Sequence, residues 1–397
     1  MKLCWFIPDD RSGGVASVAI SCCEQAAKAG YETTLLVVLQ PTSRLAANNF
    51  PFRVASLGLE GLAEETPVKL MKWLSDHPQD MLFLNGCEQT DAIIPYLPST
   101  IKCAYVVHDT ASRYWKTSVK EESNLDAIVA VSETVAREFR QYLKNSKKLS
   151  VILNGCNFPD LQQPISRKND IIFLGGDKPI KGSFDLIKMW EYISNHGFMG
   201  KLHWFGNLSP SFQAQVKQLP NSEHICIHGH VQRDVIFNIA SSSKVILMLS
   251  RVEPFGMATI EAMSMGCIPV AWDIETGTKE IVSANKTALF APLGDIKILA
   301  NQVIRACNEY DAFANNVIEQ ARSNFDANVM WKHYESLIQD ISSLPAISRS
   351  QEGQHPTNYK PPIRRFQLLP NPVRSLIRDV VGRSPQLGYL LRDFRGL

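Results

Sequence analysis

Val245 to Leu249 is an apolar run that reads as a buried strand, Pro254 and Gly256 mark a turn, and Met257 to Met265 reads as a helix in which Ala258, Glu261, Ala262 and Met265 recur at helical spacing. A helix N-terminus therefore faces whatever lies beyond that strand. Its first amides have no partner within the helix and its dipole favours negative charge, so the turn can seat a phosphate. Glu253 stands just before the turn and Glu261 within the helix. Two carboxylates flanking a phosphate seat would repel the phosphate unless they bind something neutral beside it, and sugar or ribose hydroxyls fit that role.

The same alternation opens the chain. Leu3 to Ile7 reads as a strand, Pro8 to Gly14 as a loop, and Val15, Val18, Ala19, Cys22, Cys23, Ala26 and Ala27 as a helical stripe ending at Gly30. Thr33 to Leu39 completes a β-α-β unit, the start of a doubly wound sheet whose ligands gather at the carboxyl ends of the strands. Gly13-Gly14 fits a tight turn as well as a loop whose backbone approaches a phosphate or sugar, and the spacing is not G-x-G-x-x-G, so a dinucleotide fingerprint is absent. Further strands are expected at Met81 to Leu84, Cys103 to Val107 and Ala127 to Val131, with His108-Asp109 and Ser132 directly beyond the last two. Ser132 also suits a helix N-cap before Glu133. After a linker at Phe158 to Asn169 the pattern restarts: Ile171 to Gly175 as a strand, Lys178-Pro-Ile-Lys-Gly182 as a loop entering a helix near Phe184, and strands ending at Gly206, Gly229 and Ala271. Leu299 to Ala306, Asn315 to Ala321 and Asn328 to Ile341 read as helices.

Glu253-Pro-Phe-Gly-Met-Ala-Thr-Ile-Glu261, with Gly266 and Pro269 behind it, resembles the E-x7-E element of the retaining family-4 glycosyltransferases of GT-B fold. Two glutamates at that spacing carry no weight alone; the flanking strand, turn and glycine do. The resemblance covers Leu3 to Ile341 and implies an α/β fold of two Rossmann-like doubly wound domains facing across a cleft. It assigns residues 1–157 to an acceptor domain, 158–169 to the linker, 170–326 to a nucleotide-sugar donor domain, and 327–341 to a helix crossing back to the first domain, leaving 342–397 as a flexible polar segment and a basic amphipathic tail.

Residue by residue, the resemblance makes Gly13-Gly14 a donor-side glycine loop, and has His108 line the cleft against the donor sugar. Lys181-Gly182 matches the family's Lys-Gly, whose cation neutralises the donor diphosphate. The family's Arg just after the preceding strand is missing, because Gly175-Gly176-Asp177 stand there. Lys178 is either its replacement, without the bidentate grip of Arg, or an exposed loop lysine. Gly229, His230 and Val231 are expected to contact the nucleotide base through their backbone. Glu253 and the backbone of Phe255, Gly256 and Met257 are expected to hold the transferred sugar, and Glu261 the ribose hydroxyls. Thr276-Gly277-Thr-Lys-Glu280-Ile-Val282 resembles the family's Gly-Gly-x-x-Glu-Ile-Val with one glycine lost.

At 397 residues, 45% hydrophobic and 20% charged, the chain is long enough for two or three domains and has the composition of an ordinary soluble globular protein. Its nine cysteines form no C-x-x-C or zinc spacing and read as reduced, buried thiols, which with the short apolar start implies a cytoplasmic protein. No run approaches the ~20 apolar residues that span a bilayer. The net charge of +2 gives no ground for a nucleic-acid partner, and none is expected, but Lys360 to Leu397 holds eight Lys/Arg against Asp379 and Asp393. Val373, Leu376, Ile377, Val380 and Val381, then Leu387, Leu390, Leu391 and Phe394, recur there at helical spacing. This basic tail suits a peripheral contact with the cytoplasmic face of a membrane, or packing on the acidic remainder of the chain or another subunit.

The expectation is therefore a retaining, metal-independent glycosyltransferase of hexosyl type. It would move a sugar from a nucleotide-diphosphate sugar, its co-substrate in place of any cofactor, to a glycan, lipid-linked or other hydroxyl acceptor, as in polysaccharide biosynthesis. His108, Glu253 and Lys181 are its expected catalytic residues. Three rivals stand beside it: a glycoside hydrolase, which leaves Lys181-Gly182 unexplained; a nucleotide-sugar epimerase; and a non-catalytic nucleotide-binding subunit, motivated by the missing Arg.

Overall fold

The computed structural model describes residues 1–10, 13–42, 45, 49–61, 64–161, 166–360 and 369–383, the side chains of residues 113, 378, 379 and 381–383 excepted. The chain divides into two compact units: Met1–Asn157 with residues 326–360, and Phe158–Phe325 with the helix Asn371–Arg383.

Among the described residues of the first unit, seven strands form one sheet: β1 (Lys2–Ile7), β2 (Glu32–Leu39), β3 (Arg53–Leu59), β4 (Met81–Leu84), β5 (Lys102–Val107), β6 (Ala127–Ala130) and β7 (Leu149–Val151). Every pairing is parallel, in the order β3-β2-β1-β4-β5-β6-β7, so the winding reverses between β1 and β4. Helices cover a parallel sheet on both faces, which is why β1, β4, β5 and β6 are near-continuous apolar runs. Trp5 and Phe83 stack at 4.3 Å between neighbouring strands, and Tyr334 of the helix Ala327–Ser343 meets Phe83 edge-on at 5.8 Å. The edge strands β3 and β7, half-buried and lacking such runs, carry no comparable signal.

The segment after Ser342, expected to be flexible, is instead fastened to the first unit. Arg349 is 3% exposed. Its guanidinium pairs with Asp126 at 3.0 Å and donates to the carbonyls of Asn124, Pro98 and Ile101 at 2.7–3.0 Å. Ser350 N donates to Asn124, and Tyr359 bonds Glu88 through its hydroxyl. A polar stretch looks solvated when the carbonyls that will receive its arginine lie more than 200 residues away in sequence.

The second unit repeats the design with β8 (Lys168–Leu174), β9 (Leu202–Phe205), β10 (Ile225–Gly229), β11 (Ser243–Met248), β12 (Ile268–Trp272) and β13 (Leu289–Ala291). These pair in parallel in the order β10-β9-β8-β11-β12-β13, reversing between β8 and β11. β8 begins at Lys168, so the last two residues of the expected linker are strand. Two doubly wound parallel sheets make the chain an α/β protein of the expected class.

The first half of the tail forms a helix, Asn371–Arg383, against the turn Pro179–Lys181 of the same unit, while Leu387 to Phe394 lie outside the described residues. All nine cysteines are free, and eight of them are buried. Among the described residues no helix is long and apolar enough to cross a membrane.

Candidate functional site

The second unit gathers its site residues where β8 and β11 run side by side and the following loops diverge, the crevice in which doubly wound sheets hold ligands. After β8 the chain passes Gly175-Gly176 and the tight turn Pro179–Lys181 into the helix Ser183–Asn195. After β11 it runs through Glu253 into the helix Met257–Ser264. Arg251 fastens these loops together. Its amide donates to the Ile180 carbonyl at 2.9 Å, and its buried guanidinium bonds the Leu249 carbonyl and pairs with Asp185. Gly182 sits at φ +87°, and a Cβ there would lie 2.5 Å from the Leu249 carbonyl oxygen, so the loops meet only because this residue is glycine. The result is a fixed pair: Lys181 Nζ lies 2.8 Å from Glu253 Oε2.

The missing Arg has a structural counterpart. A Cβ on Gly176 would stand 2.7 Å from the Asn207 carbonyl oxygen, and one on Gly206 would stand 2.6 Å from the Gly176 nitrogen. The loop is closed backbone against backbone, with no room for a side chain at Gly176. Lys178 is exposed at the start of the neighbouring turn.

Gly256, at φ +112°, begins the helix, and its carbonyl accepts from the amides of Thr259 and Ile260 at 2.9 and 3.3 Å. Phe255 is buried edge-on against Phe325. Gly277 N donates to the Glu253 carbonyl at 2.7 Å, and a Cβ on Gly277 would press into Pro254 and Phe255. Thus the surviving glycine of Thr276-Gly277 is the one that needs to be glycine. Glu261 Oε1 faces Arg233 Nη2 at 2.8 Å, and Arg233 begins the helix that follows β10. At the end of β10 and in the loop before that helix, Gly229 (φ +67°) accepts from the Gly206 amide, His230 is exposed, and Val231 packs on the core. Each glutamate therefore has its own cation.

In the first unit, His108 lies directly beyond β5, half-buried, with Nε2 2.8 Å from Asn85 Oδ1. Burial pushes the imidazole down to about 4, so it is neutral at physiological pH. Ser132 is fully buried and its Oγ accepts from the Val135 amide at 3.1 Å, an N-cap for the helix Glu133–Phe139. Gly13 (φ +109°) precedes the helix beginning at Gly14, with nothing within 4 Å of where a Cβ would lie.

Residues 12–158 match the model of Glycosyltransferase Family 4, and residues 160–324 match that of Glycosyl transferases group 1. The chain belongs to this family of glycosyltransferases. The glycosyltransferase is 22% identical over 238 residues to the N-acetyl-alpha-D-glucosaminyl L-malate synthase of Bacillus anthracis, an alignment covering 54% of this chain and 60% of that one. It thus spans less than two thirds of the length of that curated relative. Among solved structures, Anabaena HepE in complex with UDP and glucose superposes with a TM-score of 0.68 at 15% identity, covering 86% of this chain and all of that one. The sucrose-phosphate synthase of Thermosynechococcus elongatus does so with 0.70 at 16% identity, covering 86% and 99%.

Three residues of the glycosyltransferase join the site without having been marked by its sequence. Arg251 stands inside the most informative stretch, but its partner Asp185 is far along the chain. Arg233 lies two residues past the expected base-contacting residues. Asn85 follows β4 as His108 follows β5, so the rule that picked out one strand end applies to the other.

Proposed function

We propose that this glycosyltransferase transfers a sugar from a nucleotide-diphosphate sugar to a hydroxyl of a glycan or lipid-linked acceptor, with retention of anomeric configuration and without a metal ion. The observation that carries this reading is the Lys181–Glu253 pair beside the N-terminus of the helix Met257–Ser264. Lys181 and the first helix amides supply positive charge to the departing diphosphate, while Glu253 and Glu261 supply acceptors to sugar and ribose hydroxyls. Stabilisation by one such preorganised donor is worth ~2.7–4 kcal/mol in a measured case of another enzyme class. The acceptor oxygen attacks the anomeric carbon on the face the diphosphate leaves. The carbon–oxygen bond to phosphate breaks as the new one forms, and a phosphate oxygen takes the hydroxyl proton. His108 takes the transferred sugar, and Gly13-Gly14 approach the donor, by likeness to the family.

One observation favours a second reading. The closed backbone at Gly176 and Gly206 removes a diphosphate-binding Arg, as suits a subunit that binds a nucleotide without catalysis. The test is thermal unfolding against UDP, GDP, ADP, dTDP, CDP and their common sugars, followed by product analysis with and without EDTA. A ligand at 100 times its Kd adds ~2.7 kcal/mol. A shift with one nucleotide, and EDTA-insensitive transfer with retained configuration, support the proposal; a shift without transfer to any acceptor supports the second reading.

For the tail we propose an anionic membrane surface, because Val373, Leu376 and Val380 are exposed on a helix that also carries Arg374 and Arg378. Sedimentation with phosphatidylglycerol vesicles, against phosphatidylcholine ones, tests it. Equal binding to both, or to neither, sinks it.

A further inference from the structure

We infer that Asn85 is a positioning residue that holds the His108 ring with its proton on Nε2 and so presents Nδ1 as a hydrogen-bond acceptor to a hydroxyl of the transferred sugar. This rests on the assignment of His108 to the donor sugar made above.

At the winding reversal of the first sheet, β1 and β4 run side by side. Asn85 is the first residue past β4, and its amide nitrogen donates across the crevice to the Phe6 carbonyl of β1 at 2.9 Å. The same nitrogen lies 3.3 Å from the Phe83 carbonyl of β4. Backbone carbonyls only accept, so both contacts require the NH2 end of the amide. Turning the amide over would set its oxygen against two other oxygens, in a place where the side chain is buried.

That fixes the remaining contact. The atom 2.8 Å from His108 Nε2 is Oδ1, which can only accept, so Nε2 must carry a proton. A neutral imidazole has one N–H, which leaves a lone pair on Nδ1. Among the described residues nothing bonds Nδ1. Burial keeps the ring in this neutral form. His108 is therefore neither a cation nor, at Nδ1, a donor, and what it can recognise there is an O–H. Asn85 acts through His108 and touches no reacting atom itself.

The test uses the full chain, with UDP and UDP-glucose as probes. Two-dimensional 15N NMR of histidine-labelled protein, with His108 assigned by its loss in His108→Gln, reads the tautomer directly. The expected spectrum shows the proton on Nε2 in the wild type and in Asn85→Asp, whose carboxyl, held protonated against the Phe6 and Phe83 carbonyls, keeps an O–H donor for them and an acceptor for Nε2, and a mixture of tautomers in Asn85→Leu. Asn85→Leu should leave the Kd for UDP within twofold while lowering kcat/KM for UDP-glucose at least tenfold, with Asn85→Asp recovering part of the loss. With the deoxy-glucose donor that lacks the hydroxyl read by His108, wild type and Asn85→Leu should become equal within twofold.

A wild-type ring protonated on Nδ1 would overturn the inference. So would an Asn85→Leu protein with the wild-type ring spectrum, or one whose loss is the same for every deoxy donor, since that is the behaviour of a mere brace between strands. Should Asn85→Leu fail to fold, the wild-type and Asn85→Asp spectra still decide. If UDP does not bind and no transfer occurs, the proposed function fails separately, while the ring spectrum still decides which ring nitrogen carries the proton.

Discussion

Lys181 Nζ lies 2.8 Å from Glu253 Oε2 across the reversal point of the second sheet, with the lysine side chain 34% and the glutamate 12% exposed. If the proposed donor diphosphate breaks this pair, its two halves should respond oppositely to substitution. Lys181→Met should weaken UDP binding about 10- to 100-fold, since a hydrogen bond to a charged group is worth about 1.5–3 kcal/mol. Glu253→Gln should leave UDP binding equal or tighter, because Lys181 then has no competing carboxylate, yet slow sugar transfer. Titration calorimetry with UDP measures both; a loss of affinity in Glu253→Gln comparable to that in Lys181→Met would contradict the competition.

Arg233 and Glu261 form the second ion pair, at 2.8 Å. If Arg233 orients Glu261 for the ribose, the two act as a unit. Arg233→Ala and Glu261→Ala should each weaken UDP binding, and Arg233→Ala should add little once Glu261 is gone. A double-mutant cycle should then give a coupling of about 0.5–3 kcal/mol. Additive losses would mean that Arg233 reaches the nucleotide independently.

Glycines that share a positive φ should differ according to what surrounds them. At Gly182 a Cβ would collide with Leu249, whereas at Gly13 it would meet nothing within 4 Å. Gly13→Ala should cost only backbone strain, about 1–3 kcal/mol. Gly182→Ala should cost more, and should also weaken UDP binding because it displaces the adjacent Lys181. Tm and UDP affinity of the two variants check this, and a Gly182→Ala protein as stable as Gly13→Ala would show that the loops can separate at little cost.

These contrasts follow the line between what was legible in the sequence and what was not. The buried strands β1, β4, β5 and β11 announce themselves because burial on both faces demands an unbroken apolar run, whereas β3 and β7, half-exposed at the sheet edges, make no such demand. Lys181, Glu253 and Glu261 stand out because each is tied to a glycine turn or a helix start a few residues away. Asn85, Arg233 and Arg251 draw their roles from partners 23, 28 and 66 residues distant, and no local pattern encodes a partner. Arg349 is the extreme case, fixed by carbonyls that every residue possesses.

Asp91 offers a test of the first unit that needs no ligand. Its carboxyl is 3% exposed. Burial pushes it up from 3.8 to about 7, with the charge of Glu88 adding to this and hydrogen bonds from Tyr105 and Thr90 opposing it. The geometry agrees: the Tyr105 hydroxyl lies 2.9 Å from Asp91 Oδ2 and 3.0 Å from the Tyr114 carbonyl, and its one proton serves both contacts only if Asp91 brings a proton of its own. Because the folded value is the higher one, the stabilising contribution is complete below about pH 4 and is lost as pH rises towards 7. Asp91→Asn keeps a donor for the Tyr105 oxygen and an acceptor for Thr90 and never ionises, so it should raise the unfolding free energy at pH 8 by up to about 3–4 kcal/mol, because a tenfold change in a protonation equilibrium is worth about 1.4 kcal/mol. That advantage should fade towards pH 4. Chemical denaturation of both proteins at pH 4, 6 and 8 measures the difference directly, and a difference that does not change with pH would mean that Asp91 is already ionised in the folded chain at the acid end.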